Sequence, residues 1–288
     1  MEIRKVIPSG YCKGVVNAIR LAKKTRSDHP EEKIYVLGML VHNSYVSKEL
    51  ADLDIVTLDD TFKSKSELVD EIQEGIVIFT AHGISGQIRD KVVAKGLKYV
   101  DATCVDVLKT QEIILEHLNK GYDVIYFGKK KHPEAEAVLS LSDRIHLIGN
   151  ENDLESLQIE NPKIFLTNQT TMSFLELRDL IGKAKERFPH IEIQSEICNA
   201  TGARQEAILK LEDCDLLYVV GDPRSNNTRR LADIAERKGI KKVRMIQTCD
   251  EIDLNDLADV DVVYVTAGAS TPPYLIDGVM ERLTAQTR

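Results

Sequence analysis

Short β-branched runs alternate with amphipathic helical segments along this chain, and this alternation limits the possible fold more than any other feature. The runs IVIFTAHG at 76–83, YDVIYFG at 122–128 and DLLYVVG at 215–221 are typical of buried parallel strands. Between such runs, apolar residues recur with helical spacing, as in SFLELRDLIGKAKERF at 173–188. The alternation predicts an α/β fold built on parallel sheets.

Three of the five cysteines recur at nearly equal intervals and in the same local context. A β-favouring stretch precedes each of them and a helical pattern follows, so each is predicted at a strand-to-helix turn. They are Cys12, Cys104 and Cys198. The repeat divides the chain into three predicted α/β domains, at 1–96, 97–190 and 191–288.

Composition and charge limit which partners the protein can attract and in which cellular compartment we expect it. A formal net charge of −8 gives no long-range attraction for nucleic acid or for an anionic membrane surface. The segment MEIRKVIPSGYCKGV lacks the apolar core of a secretion signal and no membrane span is found, so we expect a cytoplasmic protein. In a reducing compartment, five cysteines without CxxC pairs point to metal binding or catalysis rather than to disulfides.

Polar residues gather directly after six of the predicted strands. In parallel α/β sheets a ligand site lies outside the carboxyl ends of the strands, so these segments could converge on one cleft. Their histidines, hydroxyls and amides would suit a diphosphate, at His42, His82, His132, Ser225, Asn227 and Ser270. Glycines among them, Gly83, Gly221 and Gly268, could let backbone amides approach phosphate oxygens.

Plainer interpretations stay open at this point. Ser225 and Asn227 could simply cap a helix that begins near Thr228, and Ser270 and Thr271 could cap a helix after Pro272. Cysteines in such proteins are often small buried apolar residues, which describes Cys214 and Cys249. Clustered thiolates favour soft metals, so Cys12, Cys104 and Cys198 are candidates for a shared metal site, and structural zinc would want a fourth protein ligand.

Nine short motifs, in order and spread over residues 3–280, resemble the family of 4-hydroxy-3-methylbut-2-enyl diphosphate reductases. They are GYCKGV, VHN, TAHG, DATC, HPEAE, NQTT, ICNAT, SNNTRRL and TAGAS. The resemblance implies three pseudo-threefold-related α/β domains with parallel sheets around a central [4Fe–4S] cluster. It implies that Cys12, Cys104 and Cys198 ligate the cluster and that the fourth iron is open to the substrate hydroxyl.

The resemblance also implies roles for individual residues. Diphosphate binding falls to His42, His82, His132, Ser225, Asn226, Asn227 and Ser270. Glu134 and Thr170 would stand beside the substrate hydroxyl together with His132, and Glu134, close to anionic groups, would resist ionisation and act as the acid. Ferredoxin or flavodoxin would supply the electrons, to a protein that we expect to be a monomer or weak dimer.

Some residues depart from the family pattern. Val105 follows Cys104 where the family usually has proline, Lys129, Lys130 and Lys131 add positive charge before the HPE segment, and Asn226 stands where many relatives have a second serine. None of these changes removes a cluster ligand or the proposed acid.

Other functions remain open on the sequence alone. They are an iron–sulfur dehydratase similar to quinolinate synthase, a non-catalytic iron–sulfur sensor, and a structural zinc protein with a sugar-phosphate pocket. No DNA-binding helix-turn-helix or basic arm supports the sensor. The electron demand of the reaction, and the colour and metal content of anaerobically prepared protein, distinguish these alternatives.

Overall fold

The computed structural model describes residues 1–59 and 61–286. Within them, twelve strands form three four-stranded sheets in which every pair of neighbours runs parallel. The strands are β1 (Glu2–Lys5), β2 (Ile34–Leu37), β3 (Ile55–Leu58), β4 (Ile76–Phe79), β5 (Lys98–Asp101), β6 (Asp123–Phe127), β7 (Ile145–Ile148), β8 (Ile164–Asn168), β9 (Glu192–Ile193), β10 (Leu216–Val220), β11 (Lys242–Ile246) and β12 (Val262–Ala267). The predicted α/β class with parallel sheets is confirmed.

Helices connect these strands, as parallel pairing requires. They are α1 (Lys13–Asp28), α2 (Ser44–Ala51), α3 (Lys65–Glu71), α4 (Gly86–Ala94), α5 (Val105–Asn119), α6 (Pro133–Leu139), α7 (Glu151–Ser156), α8 (Phe174–Arg187), α9 (Asn199–Leu209), α10 (Asn226–Lys238) and α11 (Pro273–Ala285). Two short 3₁₀ turns lie at Cys249–Glu251 and Leu254–Leu257. Local signals set many helix starts, since Ser64, Ser85 and Ser173 each accept a hydrogen bond from the first turn that follows.

The three sheets share one strand order. They read β3-β2-β4-β5, β7-β6-β8-β9 and β11-β10-β12-β1, and in the last sheet β1 takes the place that β5 and β9 have in the other two. The two central strands of each sheet are largely apolar and mostly buried, and β4, β8 and β10 are buried along their whole length. Hydrophobic side chains on both faces of these strands form the cores, so the two central strands contribute most of the buried apolar surface of each sheet.

Each of the three regularly spaced cysteines follows the edge strand of a sheet and begins a helix. Cys12 lies between β1 and α1, Cys104 between β5 and α5, and Cys198 between β9 and α9. The predicted strand-to-helix turns are therefore confirmed. The borders predicted at residues 96 and 190 fall just before β5 and β9, which pair with β4 and β8. β1, which lies within the predicted 1–96 domain, pairs with β12, so the sheets do not follow the three predicted ranges, and the division into three domains stays a prediction.

Two compact units emerge from the internal contacts of the chain. The first comprises Met1–Val15, His42–Tyr45 and the residues from Cys198 onward. The second comprises Val16–Val41 and Val46–Ile197. The sheet with β1, β10, β11 and β12 lies in the first unit, and the other two sheets lie in the second.

Candidate active site

The polar segments singled out in the sequence follow the two central strands of each sheet. VHN and AHG follow β2 and β4, KKKHPE and NQTT follow β6 and β8, and DPRSNNT and AGAS follow β10 and β12. Because neighbouring parallel strands end at the same edge, each sheet brings two polar segments side by side. The predicted position of these segments at strand ends is confirmed.

Glu134 lies at the start of α6 in the second unit, immediately after a capping histidine. His132 is the N-cap of this helix, and its Nδ1 accepts a hydrogen bond from the Glu134 backbone nitrogen at 3.2 Å. Pro133 occupies the first helical position, where its fixed φ favours the helix and its missing N–H is not needed. The HPE sequence thus directs a carboxylate inward at a helix start.

The Glu134 carboxyl group is buried, with 2% of the residue exposed, and is held by three donors. The Thr170 backbone nitrogen donates to Oε1 at 2.8 Å, the Thr170 hydroxyl donates to Oε2 at 3.0 Å, and the Tyr126 hydroxyl donates to Oε1 at 3.4 Å. Burial raises the pKa of Glu134 to about 7, against the lowering effect of those donors. A carboxyl group of this kind can hold and release a proton near neutral pH.

His82, a further histidine of the predicted set, is a neighbour of His132 within the second unit. The rings of His82 and His132 meet edge to face, with centroids 5.5 Å apart. Nδ1 of His82 lies 3.3 Å from the hydroxyl of Thr80, at the end of β4. The structure therefore brings together His82, His132, Glu134 and Thr170 within the second unit.

In the first unit, Ser225, Asn226 and Asn227 form the buried start of α10. The Ser225 hydroxyl accepts a hydrogen bond from the Thr228 nitrogen at 3.3 Å, so Ser225 is indeed a helix cap. Capping and ligand binding do not exclude each other, since the N-terminal end of a helix favours an anion. Near this helix start, the Asp222 carboxylate accepts hydrogen bonds from the Ser44 nitrogen and from Arg224.

Asp222 stays ionised at the end of β10. Burial alone would raise its pKa, but hydrogen bonds from Arg224 and from the Ser44 nitrogen lower the pKa of Asp222 to about 2. The carboxylate thereby joins the first residues of α2 to the β10 end within this unit.

Ser270 contacts the segment that carries His42. Its hydroxyl donates to the His42 carbonyl oxygen at 2.9 Å, and the neighbouring Thr271 hydroxyl donates to Val220 at 2.9 Å. Helix α11 begins only at Pro273, with Pro272 as its N-cap and no capping side chain. The alternative in which Ser270 and Thr271 cap this helix is therefore wrong.

A line of hydrogen bonds joins Cys198 to Cys12 in the first unit. The Cys198 thiol donates to the Thr201 hydroxyl oxygen at 3.2 Å, and the Asn227 amide donates to the same oxygen at 3.0 Å. The Ala269 nitrogen donates to the Asn227 carbonyl at 3.4 Å, and the Cys12 nitrogen donates to the Ala269 carbonyl at 3.1 Å. Asn227, a predicted diphosphate-binding residue, thus connects the Cys198 turn with the Cys12 turn.

The glycines after β10 and β12 allow close packing, and their backbone nitrogens are not exposed for a ligand. The Gly221 and Gly268 nitrogens donate to the Ile246 and Val220 carbonyls, so they are not directed at a ligand as the sequence suggested. A Cβ on Gly268 would lie 2.0 Å from the Thr228 hydroxyl, which explains why glycine is needed there. Gly83 likewise donates to the Thr80 carbonyl.

The three regularly spaced cysteines are outside disulfides and of intermediate burial. Cys104 and Cys198 are the N-caps of α5 and α9, and the Val15 nitrogen of α1 donates to the Cys12 sulfur at 3.5 Å. Helix N-termini favour anions, and thiolates are soft donors, so these residues fit a soft metal or an iron–sulfur cluster. Among residues 1–59 and 61–286, no three His, Cys, Asp or Glu side chains are arranged as a metal site, and the meeting of the three sulfurs stays a prediction.

The remaining cysteines differ in their surroundings. Burial raises the pKa of Cys214 to about 11, which keeps its thiol neutral and a poor ligand. Cys249 begins a short 3₁₀ turn and packs against the hydrophobic core of the first unit. The expectation that both are ordinary structural cysteines agrees with these environments.

Several residues of the site have no distinguishing feature in the sequence. Tyr126 lies on a buried strand, where a tyrosine is typical of the core, and Thr201 and Arg204 lie inside α9, where polar residues usually face solvent. Among them, only Thr201 could have been identified from the sequence, because it lies one helical turn after Cys198.

Two of the departures from the family pattern, at Val105 and at the 129–131 segment, lie at exposed positions, whereas the third, Asn226, is buried at the start of α10. Val105 is the first residue of α5 and is exposed, at a place where proline is also favoured. The side chains of the 129–131 segment are exposed, and Lys130 pairs with Asp153 at 3.0 Å.

Comparisons with known proteins give the family. The family model described as LytB protein matches residues 3–284. A reductase of 4-hydroxy-3-methylbut-2-enyl diphosphate from Geobacillus kaustophilus is 44% identical over 286 residues, covering 98% of this chain and 90% of the relative. The relative of the same name from Listeria monocytogenes is 45% identical over 283 residues, covering 97% and 85%.

Solved structures agree with these sequence matches. The E-1-hydroxy-2-methyl-but-2-enyl-4-diphosphate reductase from Plasmodium falciparum superimposes with a TM-score of 0.91 at 32% identity, covering 98% of this chain and 88% of that one. A second structure, titled the terminal enzyme of the non-mevalonate pathway, gives a TM-score of 0.68 at 29% identity and covers 99% and 100%. Among the described helices, none combines the length and apolar character needed to cross a bilayer. On these matches across nearly its whole length, the chain belongs to the LytB protein family.

Proposed function

We propose that the protein reduces 4-hydroxy-3-methylbut-2-enyl diphosphate to isopentenyl diphosphate and dimethylallyl diphosphate, the last step of the non-mevalonate isoprenoid pathway. One observation carries the chemistry: Glu134 is a buried carboxyl group with a pKa of about 7, held by Thr170 beside His132. The names of the relatives support the substrate. Their similarity over nearly the whole chain does not favour the dehydratase or the sensor.

The reaction consumes two electrons and two protons. The bond between carbon and the hydroxyl oxygen breaks, one proton leaves with that oxygen as water, and the second proton forms a C–H bond at either end of the allylic unit. The position of this second protonation decides between the two products. The protein must therefore bind a strongly anionic substrate, deliver protons and receive electrons.

We propose that Cys12, Cys104 and Cys198 hold a [4Fe–4S] cluster. These cysteines are not in disulfides, and each stands at the start of a helix. When bound, the cluster supplies the electrons of the reduction. In the first unit, the Thr201 hydroxyl, which accepts from Asn227, can turn its own hydrogen to the Cys198 sulfur once that sulfur is a thiolate.

The proposed acid is Glu134. With a pKa of about 7, a large fraction of its carboxyl group is protonated at neutral pH, whereas an ordinary glutamic acid would be ionised. Thr170 contacts both carboxyl oxygens, which fixes the group in one orientation. We propose that Glu134 gives its proton to the departing hydroxyl, with Thr170 and His132 beside the same hydroxyl.

We propose that the diphosphate is bound by His42, His82, His132, Ser225, Asn226, Asn227 and Ser270. The start of α10 supports this role, because three buried polar residues stand there at the positive end of a 13-residue helix. The contact of Ser270 with the His42 carbonyl supports a common role for these two residues in the first unit. Local donors of this kind would offset the overall negative charge of the chain.

Electron delivery requires a separate carrier. We propose ferredoxin or flavodoxin as the donor. We propose the cytoplasm as the compartment, because cysteines outside disulfides and an oxygen-sensitive cluster both suit a reducing environment.

The test is an anaerobic assay of purified, cluster-loaded protein with the substrate, run with and without a low-potential reductant. We expect both isoprenoid diphosphates only when the reductant is present, as measured by mass spectrometry. A product that forms without reductant would identify a lyase instead. Substrate binding without any product, in protein that contains iron and sulfide, would identify a sensor.

A further inference from the structure

Arg204 is a buried arginine inside α9, between the two cysteine turns of the first unit. Only 4% of the residue is exposed, which is rare for arginine. Its Nη1 donates to the Ala200 carbonyl at 2.6 Å, within the first turn after Cys198. Its Nη2 donates to the Gly10 carbonyl at 2.5 Å, two residues before Cys12. One guanidinium group therefore joins the backbone of both turns.

The surroundings of this cation are unusual because sulfur takes the place of a carboxylate. Burial lowers the pKa of Arg204, and the groups that act against this effect are the thiols of Cys12 and Cys198. Its Nε has no hydrogen-bond partner among the described residues. A buried cation without a counter-anion is strongly disfavoured, so the site is suited to anionic sulfur.

The geometry of the Arg204 hydrogen bonds and the charge of Arg204 can be changed separately by substitution. Its planar fork donates in two directions at once, which lysine cannot reproduce. The guanidinium group is always positively charged. A neutral side chain of similar length would keep much of the packing but would remove this positive charge.

We infer that Arg204 is a positioning residue for the iron–sulfur cluster, which holds the Cys12 turn against the start of α9 and places a fixed positive charge beside the Cys12 and Cys198 thiolates. This inference rests on the proposed function, because it assigns a role toward the cluster that those cysteines are proposed to hold. A cluster gains negative charge when it is reduced, and a buried cation nearby stabilises that form. Arg204 should therefore make the cluster easier to reduce.

The experiment compares the wild type, Arg204→Gln, Arg204→Lys and Arg244→Gln after anaerobic reconstitution. Arg244→Gln is the matched control, because it removes the same charge from an exposed position on β11, where Arg244 pairs with Asp256. The measured quantities are iron and sulfide per chain, the midpoint potential of the cluster by redox titration, and the rate of iron loss to a chelator.

We expect the midpoint potential of Arg204→Gln to shift to more negative values, while Arg204→Lys and Arg244→Gln stay close to the wild type. We expect Arg204→Lys to lose iron faster than the wild type, because its charge remains but the fork of hydrogen bonds is gone. A merely structural role would change cluster content without moving the potential.

An unchanged potential in Arg204→Gln would overturn the inference. If that variant does not fold, Arg204→Lys decides the matter, since iron loss at the wild-type rate would show that the fork of hydrogen bonds does not hold the cluster. A wild type that binds neither iron nor sulfide would refute the proposed function itself and the inference with it. The metal content of the wild type therefore distinguishes a failure of the proposed function from a failure of the inference about Arg204.

Discussion

Thr170 binds both oxygens of Glu134, with its backbone nitrogen at 2.8 Å from Oε1 and its hydroxyl at 3.0 Å from Oε2. Because the two donors belong to one residue at the end of β8, the carboxyl group keeps a single orientation. Burial raises the pKa of Glu134 while these donors oppose the rise, and the balance falls near neutrality. This balance is what a proton donor at neutral pH requires.

Glu134→Gln should abolish most turnover and leave cluster binding intact. Glutamine keeps the size of the side chain and can still accept from Thr170, but it has no acidic proton to deliver. We expect turnover to fall by about 10²–10⁴-fold, the usual contribution of a general acid. Glu136→Gln, an exposed position on the same helix, serves as the control and should stay near the wild type. Near-normal turnover of Glu134→Gln with intact cluster absorption would contradict the assigned role.

Turnover should decline as the pH rises through about 7. The pKa of Glu134 is raised, so the protonated form that acts as the acid prevails below pH 7 and is lost above it. An exposed glutamic acid would already be ionised across this range. The pH profile of kcat measures the effect, and the residual activity of Glu134→Gln should lack this limb. A wild-type profile that is flat between pH 6 and roughly 8 would contradict the assignment.

Tyr126→Phe should move this basic limb to higher pH. The Tyr126 hydroxyl donates to Glu134, and its hydrogen bond lowers the pKa of that carboxyl group, so its removal should raise the pKa. The bond is long, at 3.4 Å, and the shift should be small. Tyr218→Phe is the control, because this equally buried tyrosine has a hydroxyl without a hydrogen-bond partner among the described residues. A shift to lower pH in Tyr126→Phe would argue against the hydrogen bond.

Serine at Cys12, Cys104 or Cys198 should each prevent cluster assembly, whereas serine at Cys214 or Cys249 should not. A hydroxyl is a much harder ligand than a thiolate and does not replace it on iron–sulfur clusters. Iron and acid-labile sulfide, measured on anaerobically purified variants, decide the question. Full cluster content in any of the first three variants would remove that residue from the ligand set.

Asn227→Ala should weaken diphosphate binding. The amide of Asn227 connects Thr201 with the Ala269 nitrogen, and its loss removes a donor at the start of α10. A hydrogen bond to a charged group contributes about 1.5–3 kcal/mol, which corresponds to roughly 10–100-fold in affinity. Calorimetry with inorganic diphosphate measures the change. Asn255→Ala, at an exposed 3₁₀ turn, should bind like the wild type, and an unchanged affinity of Asn227→Ala would exclude its role.

The central strands were predictable because burial on both faces leaves an unbroken apolar run. The runs of β4, β6, β8 and β10 stand out for this reason. The edge strands β3, β7 and β11 were missed, because they are half exposed and carry polar residues that are typical of connections. Their place in each sheet depends on tertiary pairing, which leaves little trace in so short a segment.

The residues of the site also differ in how far the sequence predicts them. His132, Glu134 and Thr170 could be identified because they stand just after strands, in motifs that resemble a known family. Tyr126 and Arg204 could not, since a tyrosine in a strand and an arginine in a helix are ordinary in sequence. Only the fold shows that one donates to the acid and that the other is buried between two cysteine turns.

The pairing of β1 with β12 bears on how the protein is made. Glu2 is opposite Val262, so β1 cannot complete its sheet until the ribosome has added the residues up to β12. At 5–20 residues per second, the delay is on the order of ten to fifty seconds. The strands β2 to β9 need no such wait, since each of their sheets comes from contiguous chain. The turn that carries Cys12 is therefore fixed in its sheet only after β12 has been made, and we expect a metal that needs Cys12 to bind after that step.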